Sequence, residues 1–586
     1  MSLLQQASLI VTPNAYKEGK LYSVIPSDGS GDLSVTRATT ATRMNSAGLV
    51  EFAPYNLLSY SEQFDNPFWG KTNITVTVNA GTAPNGTLTA DRITATADSA
   101  TINQSNVQTV QIYTHSVWVR AESGTVSGSI YGISSFATRT DFVATTEWQR
   151  ITNTALSLGS NRFPTIRLNT SGTSILIWGA QLVEGTEAKD YFATETRLNI
   201  PRLDYSLGGC PSILVEPQRT NLMTYSEQLN DASWTKTECS ITANIAASPS
   251  GILNADKIIP NTTNTFHPCK KSITVSSGLA HAYTVYLKKD GYNYVLINTP
   301  TGVIGGNVGP VIDLNNGTIV GNLGGSTHNA VVTSINDGWY KVTMTFTTTG
   351  TTTIIDINTL ATSSITSYSG NGTDGILVWG AQLEAGAYPT SYIPTTSASV
   401  TRNADVISKT GISSLLNPSE GTLFVEAAEL KDNANKMFQI TNGTDLNVVS
   451  VEFNNNTLRV GIIGGGGGYR KFDIPTNLYG FNKIAIGWIS GNISCFVNGV
   501  QYTLSLYTGS GDGIPTQLDR ITFSYWWNGS PFYTNTKSLA IWKTRLTDGE
   551  LSILTSGIYT PELAYAAIGL TSESPACLES SINAIL

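Results

Sequence analysis

One phrase occurs twice in this chain, and it constrains the fold more than any other feature. Asn56-Leu57-Leu58-Ser59-Tyr60-Ser61-Glu62-Gln63-Phe64 returns as Asn221-Leu222-Met223-Thr224-Tyr225-Ser226-Glu227-Gln228-Leu229. A Trp-x-Lys-Thr turn follows each copy, with Trp69 and Trp234 both 13 positions past the Asn. Leu-x-Ala-Asp comes next, with Asp91 and Asp256 both 35 past it. Each copy closes on Trp-Gly-Ala-Gln-Leu, at Trp178 to Leu182 and at Trp379 to Leu383. Equal spacing over the first part and a shared closing phrase mean a duplicated module. The second copy runs 158 residues from Asn to closing Trp against 122 in the first. The extra length belongs in loops, which tolerate insertion.

What fills the modules is short alternating stretches. Ile74-Thr75-Val76-Thr77-Val78 and His115-Ser116-Val117-Trp118-Val119-Arg120 have period two, and Ser174-Ile175-Leu176-Ile177-Trp178 is an apolar run of strand length. Thr, Val, Ile and aromatics at that spacing, broken by Gly, Asn and Ser, predict half-buried antiparallel strands. The expected fold class is all-β, with tandem antiparallel sandwiches of jelly-roll type.

The expected order is a segment 1–54, a first jelly roll 55–200, a connector 201–220, a second jelly roll 221–405, a third sandwich 406–560 and a tail 561–586. The opening segment has too few apolar residues for its own core. It is expected to pack on a partner or on neighbouring copies. Asn498-Gly499 predicts a tight hairpin in the third sandwich, because both residues tolerate positive φ. Leu546-Thr547-Asp548-Gly549-Glu550-Leu551 predicts a short helix capped by Thr547, with acids in its first turn.

Charged residues make up 13% of the chain, about half of the usual ~25%. The net charge of −8 comes without a basic block, which argues against nucleic acid. No apolar run reaches 18 residues, so no membrane span is expected. Met1 to Gln6 lacks a basic stretch before an apolar core, so synthesis without a secretory signal is expected. Five scattered cysteines (Cys210, Cys239, Cys269, Cys495 and Cys577) without a CxxC spacing read as free thiols.

Signatures of bond chemistry are missing: no HExxH, GxSxG, P-loop or dinucleotide fingerprint. His115, His267, His281 and His328 lie far apart and read as structural or surface residues. Glycan cleavage would need two carboxylates flanking a glycosidic bond. Glu184 and Glu384 recur after the closing phrase, as do Asp91 and Asp256, and recurrence in both copies favours a framework role. Asp91 and Asp256 either order a turn or ligate calcium through oxygen donors, and structural calcium is the one cofactor left open. Trp69, Trp148, Trp178, Trp234, Trp339 and Trp379 read as core. Tyr525-Trp526-Trp527-Asn528-Gly529, with Phe532 and Tyr533, is the candidate carbohydrate surface. Adjacent tryptophans in a strand point to opposite faces, so glycan contact, a subunit interface and a second core are the three readings. Gly464 to Gly468 lacks a following helix start, so a hairpin tip or a close crossing fits better than a phosphate loop.

The duplicated Asn-Leu-(Leu/Met)-x-Tyr-Ser-Glu-Gln…Trp-x-Lys-Thr…Leu-x-Ala-Asp…Trp-Gly-Ala-Gln-Leu pattern resembles modules of tailed-bacteriophage fibre and tail proteins. So does Tyr388-Pro389-Thr390-Ser391-Tyr392-Ile393-Pro394-Thr395-Thr396, followed by Val400-Thr401-Arg402. The third region resembles concanavalin-like or laminin-G-like sandwiches through Gly421 to Val425, Phe496 to Val500 and Ile541 to Leu551. The resemblance implies carbohydrate-binding-like jelly rolls in a virion fibre, commonly a homotrimer, whose N-terminal segment docks on other virion proteins. Host-glycan adhesion, a plain spacer or decoration role, and glycan cleavage are the functions it implies, in that order. Fold by itself does not choose among them.

Overall fold

A computed structural model describes residues 3–108, 111–157, 159–324, 328–429, 436–454, 457–464, 468–475, 480–509, 512–524 and 532–556. Strands dominate the described residues, and the all-β expectation holds. The chain divides into two units, one of 52–198 with 241–257, the other of 1–51, 199–240 and 258–586.

The first jelly roll, in the smaller unit, has two five-stranded antiparallel sheets. One runs Gln149–Leu156, Ile112–Arg120, Ser174–Glu184, Ala90–Ala95, Ile74–Gly81. The other runs Thr140–Ala144, Val126–Tyr131, Thr165–Leu168, Ala100–Gln104, Trp69–Thr72. Alternate residues such as Val117, Val119, Ile130, Ile166, Ile175 and Ile177 meet in one core, as the period of two requires.

The repeated phrases are the two halves of a clasp. The Asn56 side-chain amide donates to the carbonyls of Ala180 (3.1 Å) and Phe192 (3.0 Å), and its oxygen accepts the N–H groups of Leu58 (3.1 Å) and Leu182 (3.2 Å). In the other unit Asn221 repeats this with Ala381 (3.2 Å), Ile393 (2.8 Å), Met223 (3.0 Å) and Leu383 (3.1 Å). A buried amide with all these bonds satisfied holds the module's first residues to its last strand. The middle can therefore vary in length while both ends stay fixed. The Gly of the closing phrase has its own reason. Gly179 (φ 65°) and Gly380 (φ 68°) sit where the register shifts against the neighbouring strand. That is a bulge position for a left-handed residue, and a Cβ on Gly380 would come within 2.9 Å of the Tyr286 ring.

In the larger unit the second jelly roll places Thr235–Lys236, His267–Thr274, Thr352–Leu360, Tyr294–Asn298, Gly309–Asp313 and Thr318–Leu323 in one sheet. In another, Gly375–Ala385, Ala280–Asp290, Tyr340–Thr347 and His328–Ser334 lie side by side in that order. The third sandwich is built around Glu420–Glu429, which pairs with Phe481–Ile489 and with Thr534–Trp542.

The opening segment, expected to pack on a partner or on neighbouring copies, packs within its own chain. Its strand Leu9–Lys17 pairs with the third sandwich's last strand, Leu9 opposite Ile541 and Val11 opposite Leu539. Leu33–Thr36 pairs with Val406–Thr410. The connector is a piece of the same sandwich, with Ile213 opposite Thr536 and Val215 opposite Thr534. A segment too apolar-poor for its own core completes the core of a domain over 500 residues further on. Leu9, Val11, Leu21, Val35, Ile213 and Val215 all lie in that core. The chain returns from the first module at Asn199, whose backbone N–H donates to the Arg37 carbonyl (3.0 Å). The second module is closed off where the Asp405 N–H donates to the Glu216 carbonyl (2.9 Å). Both modules are thus insertions into one discontinuous sandwich.

Local expectations hold where they fall on described residues. Asn498 (φ 50°) and Gly499 (φ 82°) turn the hairpin that sets Val497 opposite Val500. Thr547 caps the helix Asp548–Ser556, its hydroxyl accepting the Glu550 N–H (3.3 Å) while Glu550 accepts the Thr547 N–H (2.8 Å). Gly464 and Gly468 face each other across a hairpin, and the glycines between lie outside the described residues. The reading of five free thiols is corrected: Cys210 is disulfide-bonded, while Cys239, Cys269 and Cys495 are free. The tail 561–586 lies outside the described residues.

Candidate functional site

The recurring acids have internal partners. Asp91 accepts the N–H of Phe64 (3.0 Å) on one oxygen and that of Asn79 (2.9 Å) on the other, and Asp256 accepts the Asn244 N–H (3.0 Å). Burial raises the Asp91 pKa, with these N–H bonds opposing the shift. Both Asp91 oxygens face donors, and no group of three His, Cys, Asp or Glu side chains that could hold a metal occurs among the described residues. These N–H bonds support the turn-ordering reading of Asp91. Glu384 is held by Gln382 (2.9 Å) and by the Thr390 N–H and hydroxyl (both 2.7 Å), and Glu184 by Gln111 (2.7 Å).

Five of the six recurring tryptophans are core, and Trp148 is not fully buried. Trp69 and Trp234 are buried and donate to the Tyr60 and Tyr225 carbonyls, and Trp178, Trp339 and Trp379 are buried too. Trp148 is half-buried and carries the Arg120 guanidinium over its ring at 5.4 Å. Among the histidines, His115 is fully buried, and burial alone lowers its pKa to about 4, so it is neutral. His267 bridges the carbonyls of Glu238 (2.7 Å) and Tyr368 (3.0 Å).

Tyr525, Trp526 and Trp527 lie outside the described residues. Tyr533 is described, and it is no exposed platform: it is buried, its hydroxyl donates to the Pro389 carbonyl (2.8 Å), and its ring packs 4.5 Å from that of Tyr388. Burial raises its pKa well above the usual phenol value. That ring leads to the feature the sequence did not reveal. A cleft of about 250 Å³ in the larger unit is lined by Tyr286, Tyr388, Tyr392 and Tyr533, with Arg43, Asp204, Glu216, Lys341 and Asn535 among its polar residues. The Arg219 guanidinium lies over the Tyr388 ring at 4.7 Å. Tyr392 is fixed by Ser226 (2.6 Å) and by Glu227 (3.0 Å), and its ring rests 4.6 Å from Trp379 of the closing phrase.

A buried ionic knot backs this cleft. Arg37, Arg202 and Arg402 meet Glu216 and Asp405, all with side chains no more than 3% exposed. Asp405 accepts Arg37 (2.6 Å) and Arg202, and Glu216 accepts Arg202 (2.6 Å), Arg402 and the Ser391 N–H (2.8 Å). Burial would raise the Asp405 pKa, yet the three arginines hold it below the usual carboxylate value. Burial, then the neighbouring Arg202, pulls Arg402 down to about 9.

Polar atoms at the cleft are unevenly satisfied. Asp204 accepts the N–H groups of Met44 (2.8 Å) and Ser206 (3.0 Å) and the Ser206 hydroxyl. Asn535 is fully buried and its oxygen accepts the Ser212 hydroxyl (2.9 Å), but its Nδ2 has no partner among the described residues. The Arg43 Nε has none either, although its terminal nitrogens bond Glu51, Tyr16 and the Leu203 carbonyl (each 3.2 Å). Aromatic walls with a few aimed polar groups are what a small-ligand site needs. A second groove of about 600 Å³ runs past Arg470, Asn492, Gln501, Tyr502 and Asp512 in the third sandwich, without such orphaned donors.

No family model and no curated protein matches this chain. Solved structures similar to parts of it include the N-terminal CBM22-1–CBM22-2 tandem domain of Paenibacillus barcinonensis Xyn10C, at 11% identity over 60% of this chain and 99% of that one, TM-score 0.20. Ruminococcus gnavus IT-sialidase CBM40, bound to α2,3-sialyllactose, is 17% identical over 24% of this chain and 86% of that one, TM-score 0.20. A Paenibacillus sp. cycloisomaltooligosaccharide glucanotransferase, complexed with cycloisomaltoheptaose, is 14% identical over 52% of this chain and 46% of that one, TM-score 0.17. Similarity at this level carries no argument about function.

Proposed function

We propose that this chain is a structural fibre protein of a tailed-phage virion, made in the host cytoplasm, which presents β-sandwich modules for adhesion to a host-surface glycan and does no bond chemistry. The observation that supports adhesion is the tyrosine-walled cleft, at which Asn535 Nδ2 has no partner among the described residues. Aromatic rings suit the apolar faces of a sugar, and an unmet buried donor favours a ligand that brings an acceptor. The internal bonds of Asp91, Glu184 and Glu384 support the non-enzymatic side of the reading. The virion assignment draws on the duplicated phrases. With residues 9–17 woven into the third sandwich, docking to other virion proteins would use a folded surface, and the homotrimer would form through such surfaces. A spacer or decoration role without a ligand is the second reading, favoured by the burial of the recurring tryptophans.

A glycan array probed with the full chain and with Tyr388→Ala tests this. Retention of a subset of glycans by the full chain, lost in the variant, is expected, with no reducing ends released from bound polysaccharide. Retention of none would favour the spacer, and release of reducing ends would point to cleavage. Light scattering is expected to give three times the chain mass, and a monomer would contradict the trimer.

A further inference from the structure

We propose that the cleft takes a carboxylate-bearing sugar residue, a uronic-acid unit of an acidic polysaccharide, with Lys341 as the group that distinguishes it from a neutral sugar. This rests on the adhesion reading above. Size comes first: about 250 Å³ falls below the ~300 Å³ at which drug-sized pockets begin, which leaves room for one ring. Both carboxylates at the cleft are saturated. Asp204 is taken up by Met44 and Ser206, and Glu216 by Ser391, Arg202 and Arg402. The donors are not saturated. Asn535 Nδ2 and Arg43 Nε have no partner among the described residues, and Lys341 lines the cleft without a carboxylate partner among them.

A ligand here must therefore supply acceptors. Sugar hydroxyls would serve Asn535 and Arg43, since a hydroxyl accepts as well as donates. They would add little at Lys341, where a carboxylate gains a charge-assisted bond. Lys341, which is only half-buried, can meet an anion at the rim.

The test is calorimetry of the full chain against matched pairs that differ only at C6: methyl glucuronoside against methyl glucoside, and methyl galacturonoside against methyl galactoside. At least one acid is expected to bind roughly tenfold more tightly than its neutral partner, the worth of one charge-assisted hydrogen bond. Lys341→Gln is expected to remove that difference with the melting temperature unchanged. Equal affinity within each pair, abolished for both members by Tyr388→Ala, would overturn the acidic-sugar inference and leave adhesion standing. Binding of no sugar in these pairs and none on the array would overturn both. An acid preference that survives Lys341→Gln would overturn the role of Lys341.

Discussion

Replacing Asp405 with Ala is expected to destabilise the larger unit by about 3–5 kcal/mol, the usual cost of removing one partner from a buried ion pair. Asp405 accepts Arg37 and Arg202, and those side chains have no exposed surface. Without Asp405, Arg37 loses this carboxylate, and Arg202 keeps Glu216, the Thr42 carbonyl (3.2 Å) and the Ser391 hydroxyl (2.7 Å). A guanidinium cannot escape by losing its proton near neutral pH, so the charge stays buried. Asp405→Asn is expected to cost less, because it keeps an acceptor. Urea unfolding checks this: the midpoint should fall with the slope unchanged. A loss below ~1 kcal/mol, the range of surface pairs, would mean that the knot is hydrated. The pH dependence has a definite sign. The Asp405 pKa is depressed in the folded chain, so its contribution is fully present above the unfolded value of about 3.9 and is lost as pH falls through the folded value. The wild type should therefore lose stability in acid more steeply than Asp405→Asn.

The second large effect concerns the opening strand. A chain lacking residues 1–17 is expected to lose the cooperative unfolding transition of the third sandwich. Leu9, Ile10 and Val11 have no exposed surface. Leu9 and Val11 join one core and Ile10 another, so the strand is buried on both faces. Each such side chain contributes about 1.5–3 kcal/mol by burial. Three together rival the ~5–15 kcal/mol that holds a typical domain. The loss would also expose the ladder edge of Thr534–Trp542, a template for aggregation. A truncated chain with an unshifted thermal transition would contradict this.

Fold class was legible in the sequence because alternation and turn residues are local signals. The duplicated phrases were legible too, and Asn56 and Asn221 explain them: the clasp needs those residues at both ends of each module and nothing definite between. Strand partners were not legible. Alternation tells which side chains of Leu9–Lys17 share a face but not which strand covers them, and the pairing of Leu9 with Ile541 leaves no local trace. For the same reason nothing local joins Arg37, Arg202 and Arg402, which the fold gathers around two carboxylates. The cleft was hidden likewise. Tyr388 and Tyr392 stood out only as part of a closing phrase, and Tyr533 as the end of an aromatic run. Their meeting with Arg43 and Asn535 depends on the discontinuous sandwich. The Asp91 oxygens could be assigned to a turn only once the Phe64 and Asn79 N–H groups were seen beside them.

Native-state hydrogen exchange on the full chain tests most directly whether residues from both ends build one sandwich. Amides of 9–11, 213–215, 422–429 and 534–542 are expected to exchange through a single opening with one common free energy. Exchange of 9–11 at the rate of an unstructured peptide, while 534–542 stay protected, would contradict the account.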